Sequence, residues 1–103
     1  MIIIETPVFT EQVRELLSDE EYGELQWYLA LYPNAGDVIQ GTGGLRKVRW
    51  SATGRGKRGG VRVIYFHVSA RKQLRMLLIY RKGVKDDLTP SEKKILRALN
   101  ENW

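Results

Sequence analysis

The chain contains no cysteine and one histidine, His67. The lack of cysteine excludes a disulfide framework, a thiolate zinc site and a cysteine nucleophile. A single histidine excludes a pair of histidines acting as general acid and base. His67 alternates with apolar residues on a predicted strand, so we expect it to be packed and hydrogen-bonded rather than catalytic. No metal-ligand spacing is present, and neither a metal nor another cofactor is expected.

Long apolar stretches are also missing. No apolar run approaches the roughly 20 residues that a membrane-spanning helix needs. Glu5 and Pro7 interrupt the N-terminal apolar residues where a secretory leader would continue. With 43% hydrophobic and 28% charged residues, the 103-residue chain has the composition of a soluble globular protein. We therefore expect one domain, residues 1–103, located in the cytoplasm and not associated with a membrane.

Acidic residues are absent from one long segment of the chain. Residues 45–85 hold thirteen basic side chains and no acidic one. Residues 1–44 have a net charge of −7 and residues 86–103 a net charge of −1, so the whole chain carries +5. A basic block of this length is typical of a protein that binds a polyanion such as nucleic acid. The alternative is a basic surface that the acidic N-terminal third neutralises within the same molecule.

The residue pattern predicts an α+β fold in the order β-α-α-β-β-β-α. Helix starts are indicated by Thr6-Pro7 and by the capping-box pairs Ser18/Glu21 and Thr89/Glu92. Short loops join three strand-like runs, which favours antiparallel neighbours. These strands are predicted at residues 45–50, 61–68 and 74–81, after a short first strand at residues 2–5. The expected architecture is an antiparallel sheet packed by an N-terminal helical hairpin and a short C-terminal helix.

Basic side chains collect at one end of the three predicted strands. Lys47 and Arg49 share a face of the first strand, Arg62 opens the second, and Arg81 and Lys82 close the third. Like charges brought together in this way repel one another, a cost that proteins tolerate where an anion binds. Three aromatic residues near this rim could stack on bases or pack in the core: Trp50, Tyr65 and Tyr80.

The loop at residues 54–60 carries Arg55, Lys57 and Arg58 between glycines. It does not match the phosphate-binding loop of nucleotide-binding proteins, because no glycine lies five positions before Gly56 and Arg58 follows Lys57 where Ser or Thr is required. Its flexible backbone can still approach a phosphate chain closely. The alternative is a solvated loop whose charges only confer solubility.

Five segments together resemble the RelE/ParE superfamily of toxins. They are the run at residues 45–49, the strand start at 59–65, the strand end at 78–82, the Asp-Leu-Thr at 87–89 and the Gly-Asp-Val-Ile-Gln-Gly-Thr-Gly-Gly segment at 36–44. The last of these is similar to the HigB branch of the superfamily. The resemblance extends from about Ser18 to the C-terminus.

The resemblance implies a RelE-like (microbial RNase-like) fold and the toxin of a type II toxin–antitoxin pair. Such a toxin is an endoribonuclease that cuts mRNA in the ribosomal A site, where it also contacts ribosomal RNA. The RNA's own 2′-hydroxyl would attack the adjacent phosphate, and no cofactor would be needed. The implied protein partner is a cognate antitoxin of the helix-turn-helix type.

The resemblance also assigns roles to individual residues. Lys47 and Arg49 match two cations of the family's first long strand, and Arg62 matches an arginine after the glycine turn that would hold the scissile phosphate. Lys82 lies near the family's basic residue after the last strand, a candidate acid or transition-state clamp. Lys57 falls in a longer loop and is also a catalytic candidate. The residues expected to bind RNA are Arg46, Arg55, Arg58, Tyr80 and Arg81.

Two questions stay open from the sequence. A surrounding group of cations would lower the pKa of a lysine, so Lys47 or Lys57 could act as the general base. The superfamily also includes ParE-like inhibitors of DNA gyrase, which share the fold without cutting RNA. A plain nucleic-acid-binding module without activity is a third possibility.

Overall fold

The computed structural model describes residues 1–51, 60–85 and 87–103. Within these residues the chain forms three α-helices and five β-strands, so the α+β class is confirmed. In chain order they are β1 (Ile2–Glu5), α1 (Pro7–Leu16), α2 (Asp19–Leu31), β2 (Asp37–Val38), β3 (Arg46–Trp50), β4 (Val61–Val68), β5 (Gln73–Arg81) and α3 (Pro90–Glu101). The predicted element order holds, with the two-residue β2 in addition.

The helices begin where the sequence predicts. The Thr6 hydroxyl accepts a hydrogen bond from the Phe9 N–H at 3.1 Å. At the start of α2, Ser18 and Glu21 exchange side-chain-to-backbone hydrogen bonds, and the Thr89/Glu92 pair repeats the arrangement at α3. Each cap satisfies backbone donors that would otherwise lack partners, which contributes about 1 kcal/mol. None of the described helices is long and apolar enough to cross a membrane.

The five strands form one mixed sheet in the order β1-β5-β4-β3-β2. The predicted antiparallel pairing of β3, β4 and β5 is confirmed. The expectation of a wholly antiparallel sheet is wrong, because β1 lies parallel to β5. The hydroxyl of Thr6 donates to the Leu77 carbonyl at 2.9 Å, which fixes the end of β1 against β5. The antiparallel direction of β3, β4 and β5 follows from the short connections between them. The sequence gives no such local signal for β1, because two helices and three strands separate it from its partner β5.

Strand β4 is buried on both faces, as its pattern of apolar residues predicts. Val63 and Tyr65 pack in the cluster formed with α1 and α2, which includes Phe9 and Leu25. Ile64 packs in a second cluster on the opposite face of the sheet. That second cluster also contains Leu45, Leu77 and Tyr80 from the sheet, and Leu88 and Leu96 from the C-terminal segment.

A β-bulge in β5 changes which side chains face each cluster. Ile64 pairs with Leu78 but Tyr65 pairs with Met76, so Leu77 is the extra residue. Because of this extra residue, Met76 and Ile79 face the α1/α2 side, while Leu77 and Tyr80 face α3. The bulge therefore brings Tyr80 to the face that Arg62 also occupies.

The connection between α2 and β3 is tied to β4 by Tyr65. Its hydroxyl accepts a hydrogen bond from the Gly36 N–H at 2.9 Å and donates to the Pro33 carbonyl at 2.8 Å. Tyr65 is fully buried, and this burial raises its pKa. Stacking of Tyr65 on a base, considered from the sequence, is thereby excluded. His67 lies 3.1 Å from the Asn34 side-chain oxygen and is hydrogen-bonded, as expected.

Replacing Gly36 with alanine should destabilise the fold. An added Cβ would lie 2.8 Å from Cε1 of Tyr65 and 3.0 Å from the Lys47 carbonyl carbon. Overpacking of this kind costs about 1–3 kcal/mol, so the thermal unfolding midpoint measured by circular dichroism should fall.

The matched control is Gly23→Ala in the middle of α2, where nothing lies within 4 Å of the added Cβ. Alanine there should stabilise the protein by about 0.5–1 kcal/mol, since it favours the helix. An unfolding midpoint of Gly36→Ala at or above that of the wild type would contradict the described packing of Gly36.

Candidate nucleic-acid interface

An open groove of about 740 Å³ follows the outer edge of β3. Strand β2 pairs only with Arg46 and Lys47, so no other described strand covers the edge of β3 from Val48 to Trp50. The groove is lined by residues of β2, β3, both helical layers and the loop before α3: Tyr28, Ala35, Asp37, Val38, Ile39, Gln40, Lys47, Val48, Arg49, Asp87 and Lys93.

Three of the predicted site residues share one face of the sheet. Arg49 pairs across the strands with Arg62, and Arg62 pairs with Tyr80. Lys47 lies two residues before Arg49 and therefore points to the same face. Arg49 is exposed, whereas Arg62 is only 8% exposed. The structure thus brings Lys47, Arg49 and Arg62 together on the α3 face, with Arg49 the more accessible arginine.

The other two residues of the predicted rim are placed differently. Arg81 pairs with Val61, which pairs with Trp50, so Arg81 faces the α1/α2 side. The backbone N–H of Lys82 donates to the Gly60 carbonyl at 3.1 Å, and its side chain is exposed. The basic residues therefore meet at one end of the sheet, as expected, but the pleat of the strands divides them between two faces.

Asp87 binds Lys47 directly. Lys47 Nζ lies 2.9 Å from Asp87 Oδ1, and the two side chains are 21% and 79% exposed. The hydrogen bond and the positive charge of Lys47 hold the pKa of Asp87 below its usual range, so Asp87 is a carboxylate at neutral pH. Lys47 donates a hydrogen bond in this contact, and the same ammonium group could bind a phosphate oxygen in its place.

Tyr80 lies beneath the basic residues and not on the surface. It is 6% exposed, and its hydroxyl has no hydrogen-bond partner among the described residues. Burial raises the pKa of Tyr80, the nearby Asp87 raises it further, and Arg62 opposes the shift. Lys85 Nζ lies 5.5 Å from the centre of the ring. A ring this buried offers almost no face to a base, so the structure does not support the predicted RNA contact at Tyr80.

Of the remaining predicted site residues, the structure describes only Arg46. Arg46 donates to the backbone carbonyls of Asn34 and Gly36, at 3.2 and 2.7 Å, and so helps to hold the connection before β3. The predictions for Arg55, Lys57 and Arg58 lie outside the described residues.

Of the residues that line the groove, the sequence identified only Lys47 and Arg49 as site residues; Tyr28, Asp87 and Lys93 are among those it missed. Tyr28 stands four residues before Tyr32, a spacing that places both on one side of α2, and this signal was available in the sequence. Asp87 is 40 positions from Lys47, so no local pattern connects them. Within the described part of the chain, no group of three or more His, Asp or Glu side chains could hold a metal ion.

Replacing Asp87 with asparagine should strengthen binding of single-stranded RNA, because Lys47 would then be released to a phosphate. An exposed ion pair is weak and screened by salt, so affinity should rise only about two- to fivefold at low salt. Because the pKa of Asp87 is lowered in the folded protein, Asp87 stays ionised and paired with Lys47 at every pH above the usual pKa of an aspartate. The pair is lost only when the pH falls through the lowered pKa of Asp87. The gain should therefore be constant across neutral pH.

The matched control is Glu11→Gln, which removes the same charge from the exposed surface of α1. Affinity is measured by fluorescence anisotropy with a labelled oligonucleotide at two salt concentrations. An equal gain in both variants would show that only net charge matters, and would contradict a specific role for the Lys47–Asp87 pair.

The described geometry is an open groove at a strand edge, with Lys47, Arg49 and Lys93 supplying positive charge. Its two lining carboxylates are Asp87, bound to Lys47, and Asp37, which stands opposite Lys47 in the strand register. Such a site can bind the phosphates of an extended anion. A scan against protein-family models finds no match to the chain.

Proposed function

We propose that this protein is a RelE/ParE-type toxin of the HigB branch, a cytoplasmic ribosome-dependent endoribonuclease that a cognate antitoxin neutralises. One observation carries the proposal: Lys47, Arg49 and Arg62 lie on one face of adjacent antiparallel strands, beside an open groove at the strand edge. The segments that resemble the family include β3, the start of β4 and the loop before α3, which are the elements that build this site.

The proposed reaction is an attack by the RNA 2′-hydroxyl on the adjacent phosphorus. The O2′–P bond forms and the P–O5′ bond breaks, which leaves a 2′,3′-cyclic phosphate and a 5′-hydroxyl. The phosphorane intermediate carries extra negative charge, and cations fixed beside it lower the barrier. Arg49 and Lys47 are the accessible candidates for this role in the described groove. The reaction also needs a group that takes the 2′-hydroxyl proton and one that protonates O5′.

The roles of the other basic residues follow from their exposure. Arg62 stands opposite Arg49 in the strand register but is only 8% exposed, so we expect it to add positive charge to the site more than to contact the RNA directly. Lys82 is exposed at the end of the sheet that carries Arg49, and it remains the candidate for protonating the leaving oxygen. Arg81, on the other face, would bind a flanking part of the RNA.

The basic groove favours RNA cleavage over the gyrase-inhibitor alternative. A protein that blocks gyrase through protein contacts needs no cluster of cations for phosphate chemistry. Arg49 and Arg62 stand opposite each other across β3 and β4, so the sheet concentrates positive charge where a phosphate would bind. A non-catalytic nucleic-acid-binding module would also use such a surface, and activity distinguishes it from the nuclease.

A protein partner is supported by a second groove, of about 550 Å³, between α1 and α3. Its apolar wall includes the exposed side chains of Val8, Ile95, Leu99 and Trp103. Exposed apolar area of this kind commonly marks a protein interface. This groove adjoins β5, whereas the basic groove lies at the β3/β2 edge, so an antitoxin and the RNA would have separate surfaces.

Arg49→Ala should abolish most of the toxin activity. The experiment induces expression without antitoxin, follows growth, and maps transcript 5′ ends. We expect growth arrest and new in-frame mRNA breaks with the wild type, and a loss of at least about tenfold in break frequency with Arg49→Ala, since one stabilising contact to the transition state is worth about 10²–10³ in rate. The Arg62→Lys variant retains the positive charge at the buried position and tests whether the guanidinium group itself is needed.

The matched control is Arg71→Ala, an exposed arginine at the opposite end of β4, which should retain activity. Growth arrest with intact transcripts and DNA damage would overturn the nuclease in favour of gyrase inhibition. No growth arrest with the wild type would leave the non-catalytic binding module.

A further inference from the structure

We propose that Tyr28, Tyr32 and Trp50 form a stacking surface for an unpaired nucleobase, whose flanking phosphates lie on Lys47 and Arg49. The inference rests on the proposed function for the class of ligand, a single-stranded nucleic acid. It adds a base-binding subsite to the groove.

The three rings form a continuous row. The ring centres of Tyr28 and Tyr32 are 5.4 Å apart, and those of Tyr28 and Trp50 are 5.3 Å apart. Tyr28 and Tyr32 are one helical turn apart at the C-terminal end of α2, and Trp50 is the last residue of β3. Helix and strand thus contribute to one aromatic surface.

The core requires only part of this row. Tyr28 and Trp50 are half-buried and pack against the cluster beneath α1 and α2. Tyr32, however, is 59% exposed, so the row extends beyond the core into solvent. Burial of apolar area explains the inner two rings, but it does not explain an exposed tyrosine ring placed against them.

The row lies next to the cations because the groove crosses the edge of β3. Tyr28 lines the groove from the α2 side, while Lys47 and Arg49 line it from the α3 side. Strand β2 begins at Asp37, opposite Lys47, and runs antiparallel to β3, so no described strand pairs with the edge of β3 from Val48 onward. A nucleotide at this edge could place its base on the rings and its phosphate on the cations.

Charge favours a nucleotide over an apolar ligand at this place. Lys47, Arg49 and Lys93 line the same groove as Tyr28. An apolar peptide offers no anion to these cations, whereas each nucleotide offers one anion and one flat ring. Proteins that bind single strands without sequence preference combine basic grooves with aromatic side chains in this way, and stacking of one base contributes about 1–3 kcal/mol.

The test compares two ligands of equal charge: a short oligouridylate and an abasic ribose-phosphate oligomer of the same length. A Trp27→Phe/Trp103→Phe variant leaves Trp50 as the single tryptophan. We expect oligouridylate to quench Trp50 fluorescence and to bind about tenfold more tightly than the abasic oligomer. The abasic oligomer should bind through its phosphates alone and quench little.

Tyr28→Leu should reduce the difference between the two oligomers to about twofold or less, whereas Tyr28→Phe should keep it because the ring remains. Tyr32→Leu should reduce the difference in part. The matched control is Trp27→Leu, on the same helix, 70% exposed and outside the row of three rings, which should leave the preference unchanged. Circular dichroism confirms that each variant is folded.

The outcomes separate this inference from the proposed nuclease. Equal affinity of the wild type for both oligomers, or binding of neither, overturns the stacking surface, and transcript breaks in the expression experiment would still support the nuclease. A base preference that depends on Tyr28 in a protein that makes no transcript breaks supports the stacking surface and overturns the nuclease.

Discussion

The buried hydroxyl of Tyr65 is the interaction on which the site depends. It joins Pro33 and Gly36 to the central strand, and Gly36 lies so close to Tyr65 and to the Lys47 backbone that an added Cβ would force its neighbours to shift. This close contact places β2 beside the first two residues of β3. Because β2 begins only at Asp37, opposite Lys47, no described strand pairs with the β3 edge from Val48 onward, and this edge becomes the wall of the groove.

The basic face is possible because the interior beneath it is apolar and well packed. Arg49 and Arg62 face each other across β3 and β4, and the cluster of Leu45, Ile64 and Leu77 supports them from the same side of the sheet. At the groove itself, the carboxylate that binds Lys47 comes from the loop before α3. This arrangement reduces repulsion near Lys47 while Arg49 stays exposed to a ligand.

Local signals in the sequence were sufficient for most of the fold. The helix starts follow from side chains three residues apart, and the pairing of Arg49 with Arg62 follows from strands joined by short loops. The parallel position of β1 and the bulge at Leu77 were not predictable in this way, because both depend on contacts between distant segments. The bulge decides the position of Tyr80: an unbroken alternation along β5 would have put it on the other face.

The same distinction applies to the site. Lys47, Arg49 and Arg62 could be placed from strand alternation and register alone. Asp87 could not, since its contact with Lys47 depends on how α3 packs on the sheet. Tyr28 was accessible through its helical spacing from Tyr32, but only the structure shows that Trp50 continues the row.

Helix α2 shows how one element can be acidic and still border a nucleic-acid groove. Its first turn carries Asp19, Glu20 and Glu21, where negative charge stabilises the positive end of the helix dipole. At 1.5 Å per residue, these carboxylates precede Tyr28 by about 10 Å or more along the axis, which is about one Debye length at 0.1 M salt. Salt therefore reduces their repulsion of a phosphate at the groove, whereas Glu24, one turn before Tyr28, lies closer. The acidic N-terminal turn of α2 stabilises the helix, and Tyr28 near its C-terminal end lines the groove where the ligand would bind.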